Sequence, residues 1–355
     1  MQHEITSRGP LLDEKGHLRE AGFAKSLILD YDRTAIKAGK LRIKEWDYYL
    51  ISDGRRALAL TIADNSYMGM GSVSYLKLSD LEGGQSASGF TPSEKTKSEM
   101  TVMPLGKTKL PATSERGNVH FETDKVKLSF ENDGSVRTLS VAYKGWEDGK
   151  TLKATVRLKE APAESMVIAT PYKEDPKAFY YNQKINCLRA EGVVRLGEKE
   201  YRFKPDTAFA VLDWGRGVWT YSNTWYWSSA SGAVDGHRFG FNLGYGFGDT
   251  SAASENMLFY DGKAHKLEDV TFEIPKSADG KDDFMSPWKF TSSDGRFEAD
   301  FVPVLDRASD TNVGVIQSDQ HQVFGLFSGR AVLDDGTVIT MENFAGFAEK
   351  VKNRW

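Results

Sequence analysis

Four of the eight tryptophans in this 355-residue chain, Trp214, Trp219, Trp225 and Trp227, fall within fourteen residues, beside Asp213 and Arg216. An aspartate walled by indoles loses hydration, which favours its protonated form and makes it a proton donor near neutral pH. Hydration or cyclisation of an alkene needs such an acid, together with aromatic faces that stabilise a developing carbocation. Arg216 opposes this role, because pairing with Asp213 would stabilise the carboxylate instead. Two readings stay open. Asp213 and Arg216 form a buried ion pair that joins strands, or they stand at one mouth of a pocket. In the second case Arg216 grips a substrate carboxylate or phosphate with its planar fork and leaves Asp213 free.

Glu255 and Asn256 follow a run of small and polar residues and precede the apolar Met257-Leu258-Phe259-Tyr260. A loop that hands a carboxylate and an amide to a barrel mouth has this composition, and so does an ordinary capped turn. With Asp213, Glu255 would make an acid and base pair. Glu342 and Glu349 lie in an aromatic strand-like run, where inward polar side chains would suit a ligand and outward alternation explains them equally well. Tyr180, Tyr181 and Asn182 are further candidates for the lining.

The remaining composition excludes several chemistries. Net charge is −4 with both signs mixed along the chain, which argues against nucleic acid. The lone cysteine, Cys187, rules out an internal disulfide framework and reads as a small core residue. The six histidines are scattered without ligand spacing, so no metal is expected. Gly69-Met70-Gly71 and Gly244-Tyr245-Gly246 open no helix, and the Gly-Lys-Thr triplets at 106 and 149 lack the leading glycine of a phosphate loop. No cofactor is therefore expected. The N-terminal residues carry no signal-length apolar run and no stretch suffices for a bilayer span, which predicts a cytoplasmic protein without stable membrane insertion.

The elements that must position these residues read as strands. Asp-Gly closes alternating apolar runs at Asp53, Asp133, Asp148, Asp261, Asp294 and Asp335, the strongest short-range hairpin signal because the tight turn needs positive φ. Long antiparallel meanders hide their edges best by closing into barrels. Ala208-Phe209-Ala210-Val211-Leu212 reads as a buried strand that delivers Asp213 to the end of a sheet. Helical periodicity is scarce, with short candidates at Leu18–Ser26 and Ser79–Leu81. Polar stretches at Gly83–Lys97 and Ser277–Asp283 read as surface loops. The expected fold is all-β, two antiparallel barrel or sandwich halves with little helix, spanning 1–195 and 196–355, the second carrying the Asp-Trp-Gly-Arg-Gly segment.

Several phrases carry a family resemblance: Phe179-Tyr180-Tyr181-Asn182-Gln183-Lys184, Leu212-Asp213-Trp214-Gly215-Arg216-Gly217, Glu255-Asn256, Pro287-Trp288, Gln322 to Gly329, and Arg354-Trp355. Over nearly its whole length the chain resembles the mostly bacterial family named domain of unknown function 2804. More remotely, an Asp after an apolar strand, then Trp and Gly and a tryptophan-rich strand, is similar to the carotenoid hydratase and AttH-like proteins. That resemblance implies two lipocalin-like barrels, and hydratase or cyclase activity on hydrophobic polyenes or terpenoids. The chain departs from that group's Asp-His or Asp-Arg pair, since Trp214 follows Asp213 and the arginine comes two positions later.

Three functions follow as alternatives. The first is a cofactor-independent enzyme, of hydratase, isomerase or cyclase type, using carboxylic acid chemistry on a hydrophobic small molecule. The second is a lipocalin-like carrier of a lipid or isoprenoid. The third, suggested by the many aromatic platforms and acids, is binding or cleavage of a sugar; cleavage would require two carboxylates at catalytic separation.

Overall fold

A computed structural model describes residues 2–80, 89–312, 314 and 317–354. Two large antiparallel sheets hold most of them. The first runs, edge to edge, through Ser93–Val102, Met68–Lys77, Arg56–Asp64, Ile43–Ser52, Phe209–Val218, Asp175–Leu196, Lys150–Lys159, Arg137–Glu147, Val126–Asn132 and Gly117–Glu122. Met166–Tyr172 and Lys199–Phe203 pair with the 22-residue strand Asp175–Leu196. The second sheet runs Lys263–Lys266, Met257–Tyr260, His237–Tyr245, Ser222–Val234, Val338–Arg354, Gln317–Val332, Phe297–Asn312, Trp288–Ser292 and Val270–Glu273.

All six expected Asp-Gly turns join neighbouring antiparallel strands, and Asp235-Gly236 makes a seventh between Ser222–Val234 and His237–Tyr245. The turn glycines at 54, 134, 149, 262, 295 and 336 carry φ between 67° and 99°, a region that costs glycine nothing. Both sheets curl. In the first, Phe121 of one edge strand packs where a side chain on Gly71 would stand, so strands far apart in the sheet order meet. In the second, the Phe272 amide donates to the Tyr245 hydroxyl at 3.3 Å.

Each curled sheet encloses a core. Leu60, Ile62, Val73, Phe130, Leu212 and Trp214 fill the first, and Phe241, Phe290, Phe301 and Phe327 fill the second. A third cluster, with Tyr48, Leu50, Val211, Trp227, Phe324 and Phe347, lies between the sheets. Phe209–Val218 is therefore buried along all ten residues. Alternation sends Leu212, Trp214 and Arg216 into the first barrel and Val211, Asp213 and Gly215 toward the second sheet.

The chain changes sheets between Val218 and Ser222, whereas the boundary expected near residue 195 falls at the end of the strand Asp175–Leu196. The Asp-Trp-Gly-Arg-Gly segment, expected in the C-terminal half, is a central strand of the first sheet. Asp213 sits mid-strand rather than at a sheet end, because the ladder continues through two glycines to Val218. Two local expectations also change. The helix expected at Leu18–Ser26 is instead the short strand Gly22–Ala24, paired with Met166–Tyr172; Ser79–Leu81 lies partly outside the described residues. The loop expected at Gly83–Lys97 ends in the edge strand Ser93–Val102, whose polar side chains on both faces hide its period; 81–88 lie outside the described residues. The only helical segments among the described residues are two 3-10 turns, Arg33–Ala35 and Lys40–Arg42.

Gly215 lets the Trp46 indole lie directly on the strand, and a Cβ there would overlap the ring. Gly215→Ala is expected to cost about 2–3 kcal/mol through overpacking, read as a lower melting temperature by circular dichroism. An unchanged melt would show that Trp46 relaxes freely.

Candidate functional site

The layer between the sheets holds a cluster of buried charges. Strand pairing sets Lys184 directly opposite Asp213, and the Lys184 ammonium meets the Asp213 carboxylate at 2.8 Å with both side chains at 10% exposure or less. The Asn182 amide, two residues along the same strand face, donates to Asp213 Oδ1 at 2.6 Å. Lys184 Nζ also lies 3.9 Å from the Trp227 ring centroid. Asp213 is thus an ion-paired carboxylate with two donors on one oxygen.

Arg216 is not its partner. Residues three apart on a strand point to opposite faces, and Arg216 turns into the first barrel. There it donates to Asp47 at 2.9 Å, to the carbonyls of Trp46 and Pro111 at 2.7 Å, and to that of Gly215 at 2.8 Å. Its guanidinium lies 4.3 Å from the Trp214 ring centroid, so Trp214 also lies on the barrel side and not around Asp213. Tyr181 shares that interior, edge-on to Trp214, with its hydroxyl donating to the Leu29 carbonyl at 2.8 Å. Burial lifts the Asp47 carboxyl above its ordinary range, against the pull of Arg216.

The second sheet brings two more carboxylates to the Asp213 layer. Glu349 accepts from Trp225 Nε1 and from Gln322 Nε2, each at 2.9 Å. Glu255, between His237–Tyr245 and Met257–Tyr260, keeps Oε2 sealed from solvent with no hydrogen-bond partner. Gly244 leaves room for its Oε1, where a Cβ would stand. Desolvation raises the pKa of Glu255; Lys184 lowers it and the Asp213 charge raises it further. Burial raises Glu349 too, against its two hydrogen bonds and the charge of Lys184. Tyr48 and Tyr180, also buried here, are pushed up, Tyr48 to about 12.

The loop that carries Glu255 is tied down. Lys266 donates to Ser254 Oγ and to the carbonyls of Asn256 and Leu267, and burial draws its ammonium down to about 7. Asn256 faces away from the cluster, donating to the Glu268 carbonyl at 3.0 Å and accepting from the Gly244 amide at 2.7 Å. It fastens the loop. Asn242 links the loop to the cluster by accepting from Trp227 Nε1 at 2.7 Å and donating to the Glu255 carbonyl at 2.8 Å.

Aromatic rings close one side of this layer around Phe247. Tyr180 lies 4.5 Å from it, Trp219 4.8 Å and Trp225 5.3 Å, and Trp46 stacks on Tyr180 at 6.2 Å. A cavity of about 30 Å³ lies farther along the same inter-sheet layer, between Val211 and Phe347, and one of about 10 Å³ lies inside the first barrel beside Asp47. Each holds a water or two at most, so the buried charges are the stronger candidate.

Asp213, Glu255, Asn182, Trp225 and Trp227 are thus assembled in one layer, with Trp219 at its aromatic edge. Arg216, Trp214 and Tyr181 lie in the first barrel, and Glu342 is exposed on the surface. Lys184, Trp46, Tyr48, Asn242 and Gln322 were not singled out as site residues. Pairing across the sheet makes Lys184 the partner of Asp213, and no spacing within one strand reveals that. Among the described residues no group of three His, Cys, Asp or Glu side chains is placed to hold a metal.

The model of a family described as domain of unknown function (DUF2804) matches residues 2–355. The chain belongs to this family. No curated protein matches the sequence. Among solved structures the chain is similar to CghA with Sch210972, at 12% identity and a TM-score of 0.52 over 97% of both chains. It is also similar to a putative AttH (NE1406) from Nitrosomonas europaea, at 13% identity and a TM-score of 0.51 over 97% of this chain and 98% of the other. Kievitone hydratase from Nectria haematococca aligns at 11% identity and a TM-score of 0.46 over 88% of both chains. At these identities the likeness is one of fold, the two-domain lipocalin-like arrangement of curled sheets.

Because Glu255 holds its proton in the folded state at pH values where the unfolded chain has released it, stability falls as pH rises from the ordinary glutamate value through the folded one. Glu255→Gln removes that penalty. Thermal melts are expected to show the variant more stable than wild type near pH 8, by about 1–3 kcal/mol for a buried acceptor left unpaired. The gap should close near pH 4, where both states are protonated. A variant less stable at pH 8 would show that Glu255 is a structural anchor.

The Lys184–Asp213 pair behaves oppositely. Lys184→Met strands a buried carboxylate and is expected to cost about 3–5 kcal/mol, most of it recovered in the double variant Lys184→Met/Asp213→Leu. Additive losses in a denaturant-melt cycle would show that the two charges do not couple.

Proposed function

We propose that this protein is a cofactor-independent cytoplasmic enzyme that performs acid and base chemistry on a hydrophobic small molecule between its two sheets, as a hydratase, isomerase or cyclase. The observation that carries the reading is Glu255. It is a carboxyl whose proton affinity burial raises, with one oxygen lacking a hydrogen-bond partner, within electrostatic reach of the ion-paired Asp213 of the opposite sheet. A carboxyl whose proton affinity burial raises and a carboxylate held by an ammonium suit the parts of acid and base.

In this reading Glu255 is the acid and Asp213 the base, the reverse of the emphasis suggested by sequence. Glu255 delivers its proton to an unsaturated carbon, and the cation that develops is faced by the rings of Trp225, Trp227 and Tyr180. In a hydration, water adds to the cationic carbon and its proton passes to Asp213. In an isomerisation or cyclisation, Asp213 takes a proton from the substrate carbon instead. Lys184 and Asn182 hold the Asp213 carboxylate in place. Arg216, Trp214 and Tyr181 take no part, since their contacts lie within the first barrel. The similar structure of CghA carries Sch210972, which supports a small-molecule ligand for this fold.

The test compares small-molecule extracts incubated with wild type, Glu255→Gln and Asp213→Asn by mass spectrometry. Wild type is expected to convert a compound to a product heavier by one water, or of equal mass and altered retention. Both variants should lower that turnover by roughly 10²-fold or more, and only Asp213→Asn should also lower the melting temperature. Turnover by Glu255→Gln equal to wild type would refute the acid. A compound that co-purifies in native mass spectra and is never converted would make the protein a carrier.

A further inference from the structure

Six of the nine exposed large apolar side chains among the described residues gather at one end of the first sheet: Leu41, Met100, Val102, Met103, Leu105 and Tyr221. Chain pairing brings them there. Ile43–Ser52 begins just after Leu41, and its Ile43 pairs with Val218. The Trp219 amide bonds the Arg42 carbonyl, so Tyr221 leaves the sheet beside Leu41. On the other flank Met68 pairs with Val102 and Met70 with Met100, and the amides of Met103 and Leu105 bond the carbonyls of Tyr67 and Ser66. The rim spans the four inter-strand steps from Phe209–Val218 to Ser93–Val102, roughly 19 Å. Val102 is 87% exposed and Met100 60%, values that a soluble surface rarely concentrates in one place.

Charge says what this rim meets. Lys40, Lys107 and Lys109 are exposed around it, and none of the three is ion-paired among the described residues. Of the acids nearby, Asp32 accepts from its own Thr34 and Asp175 is ion-paired with Arg42. The chain as a whole carries −4, so this cationic collar is local. Two copies facing each other through the rim would set lysines against lysines, whereas an anionic surface complements both the apolar centre and the collar.

We propose that this rim is a peripheral docking surface for an anionic lipid bilayer, with Val102, Met100 and Leu105 entering the interface and the lysines resting on headgroups. Apolar side chains ringed by lysine are the general pattern of proteins that lie on a membrane without crossing it. No helix of the described residues is long and apolar enough to cross. The rim abuts the aromatic edge that holds Trp46 and Trp219, through the Trp219 amide bonded to the Arg42 carbonyl beside Leu41. The inference goes beyond the proposed chemistry and stands without it.

Flotation of the full chain with phosphatidylcholine vesicles, with and without phosphatidylserine, tests the proposal. Wild type is expected to float with the anionic vesicles and to be released as salt rises past the screening range. Val102→Asp/Leu105→Asp should bind at least about tenfold more weakly, the loss of a buried Val or Leu side chain. Lys107→Glu/Lys109→Glu should abolish the preference for phosphatidylserine. Melting temperatures should match wild type in both, since the replaced groups are exposed. Glu255→Gln should float normally, so failure of the catalytic reading leaves this one testable. Wild type that stays unbound, or rim variants that float as well as wild type, would overturn it. So would light scattering showing a dimer dispersed by the same substitutions, which would make the rim a self-association surface.

Discussion

A single strand buried on both faces carries two opposite charges, and the rest of the molecule is arranged to neutralise them separately. Phe209–Val218 lies between the first barrel's interior and the second sheet. Asp213 and Arg216, three positions apart, therefore emerge into different layers. Each would be too costly to bury alone. The partner for each comes from a neighbouring strand: Lys184 across from Asp213, and Asp47 of Ile43–Ser52 for Arg216. A one-residue slip of either neighbour would send its charge to the wrong face and leave two ions unpaired. The two ion pairs thus act as a register lock at the centre of the larger sheet, wherever their net contribution to stability falls.

The lock has a chemical consequence. Once Lys184 and Asn182 are committed to Asp213, that carboxylate is oriented and charge-balanced but remains in a layer roofed by another sheet. What the roof contributes is unbalanced. Glu349 is satisfied by Trp225 and Gln322, whereas Glu255 has a buried oxygen with nothing to bond. A group in that condition raises the energy of the folded state. Unsatisfied buried polar atoms ask for an explanation, and the substrate proposed between the sheets would supply one for Glu255.

Glycine decides how closely the rings approach. Gly215 lets Trp46 lie against the backbone, and Gly217 leaves space filled by the Trp219 indole. From there the rings pass contact to one another through Phe247, a residue delivered by the second sheet. The aromatic edge is therefore shared between the sheets, as the charges are, and any relative movement of the sheets would alter both at once.

The all-β class and six of the hairpins were legible in the sequence because Asp-Gly turns and two-residue alternation are local: they depend on φ at one glycine and on which face of one strand is apolar. The tryptophan segment was legible as unusual for the same reason. Both readings of Asp213 and Arg216, as a buried pair or at one pocket mouth, set them on the same side, although the period of a strand already separates residues three apart; the run from Phe209 had to be recognised as continuing through Gly217 for that rule to apply. Glu255 was legible as a loop carboxylate, yet its unpaired oxygen was not. Lys184 stood in a family phrase without a role. These belong to the tertiary structure alone, because strand order, register and the meeting of two sheets join residues 169 positions apart, as with Asp47 and Arg216, or 274, as with Tyr48 and Gln322. No local pattern encodes which long-range partner arrives.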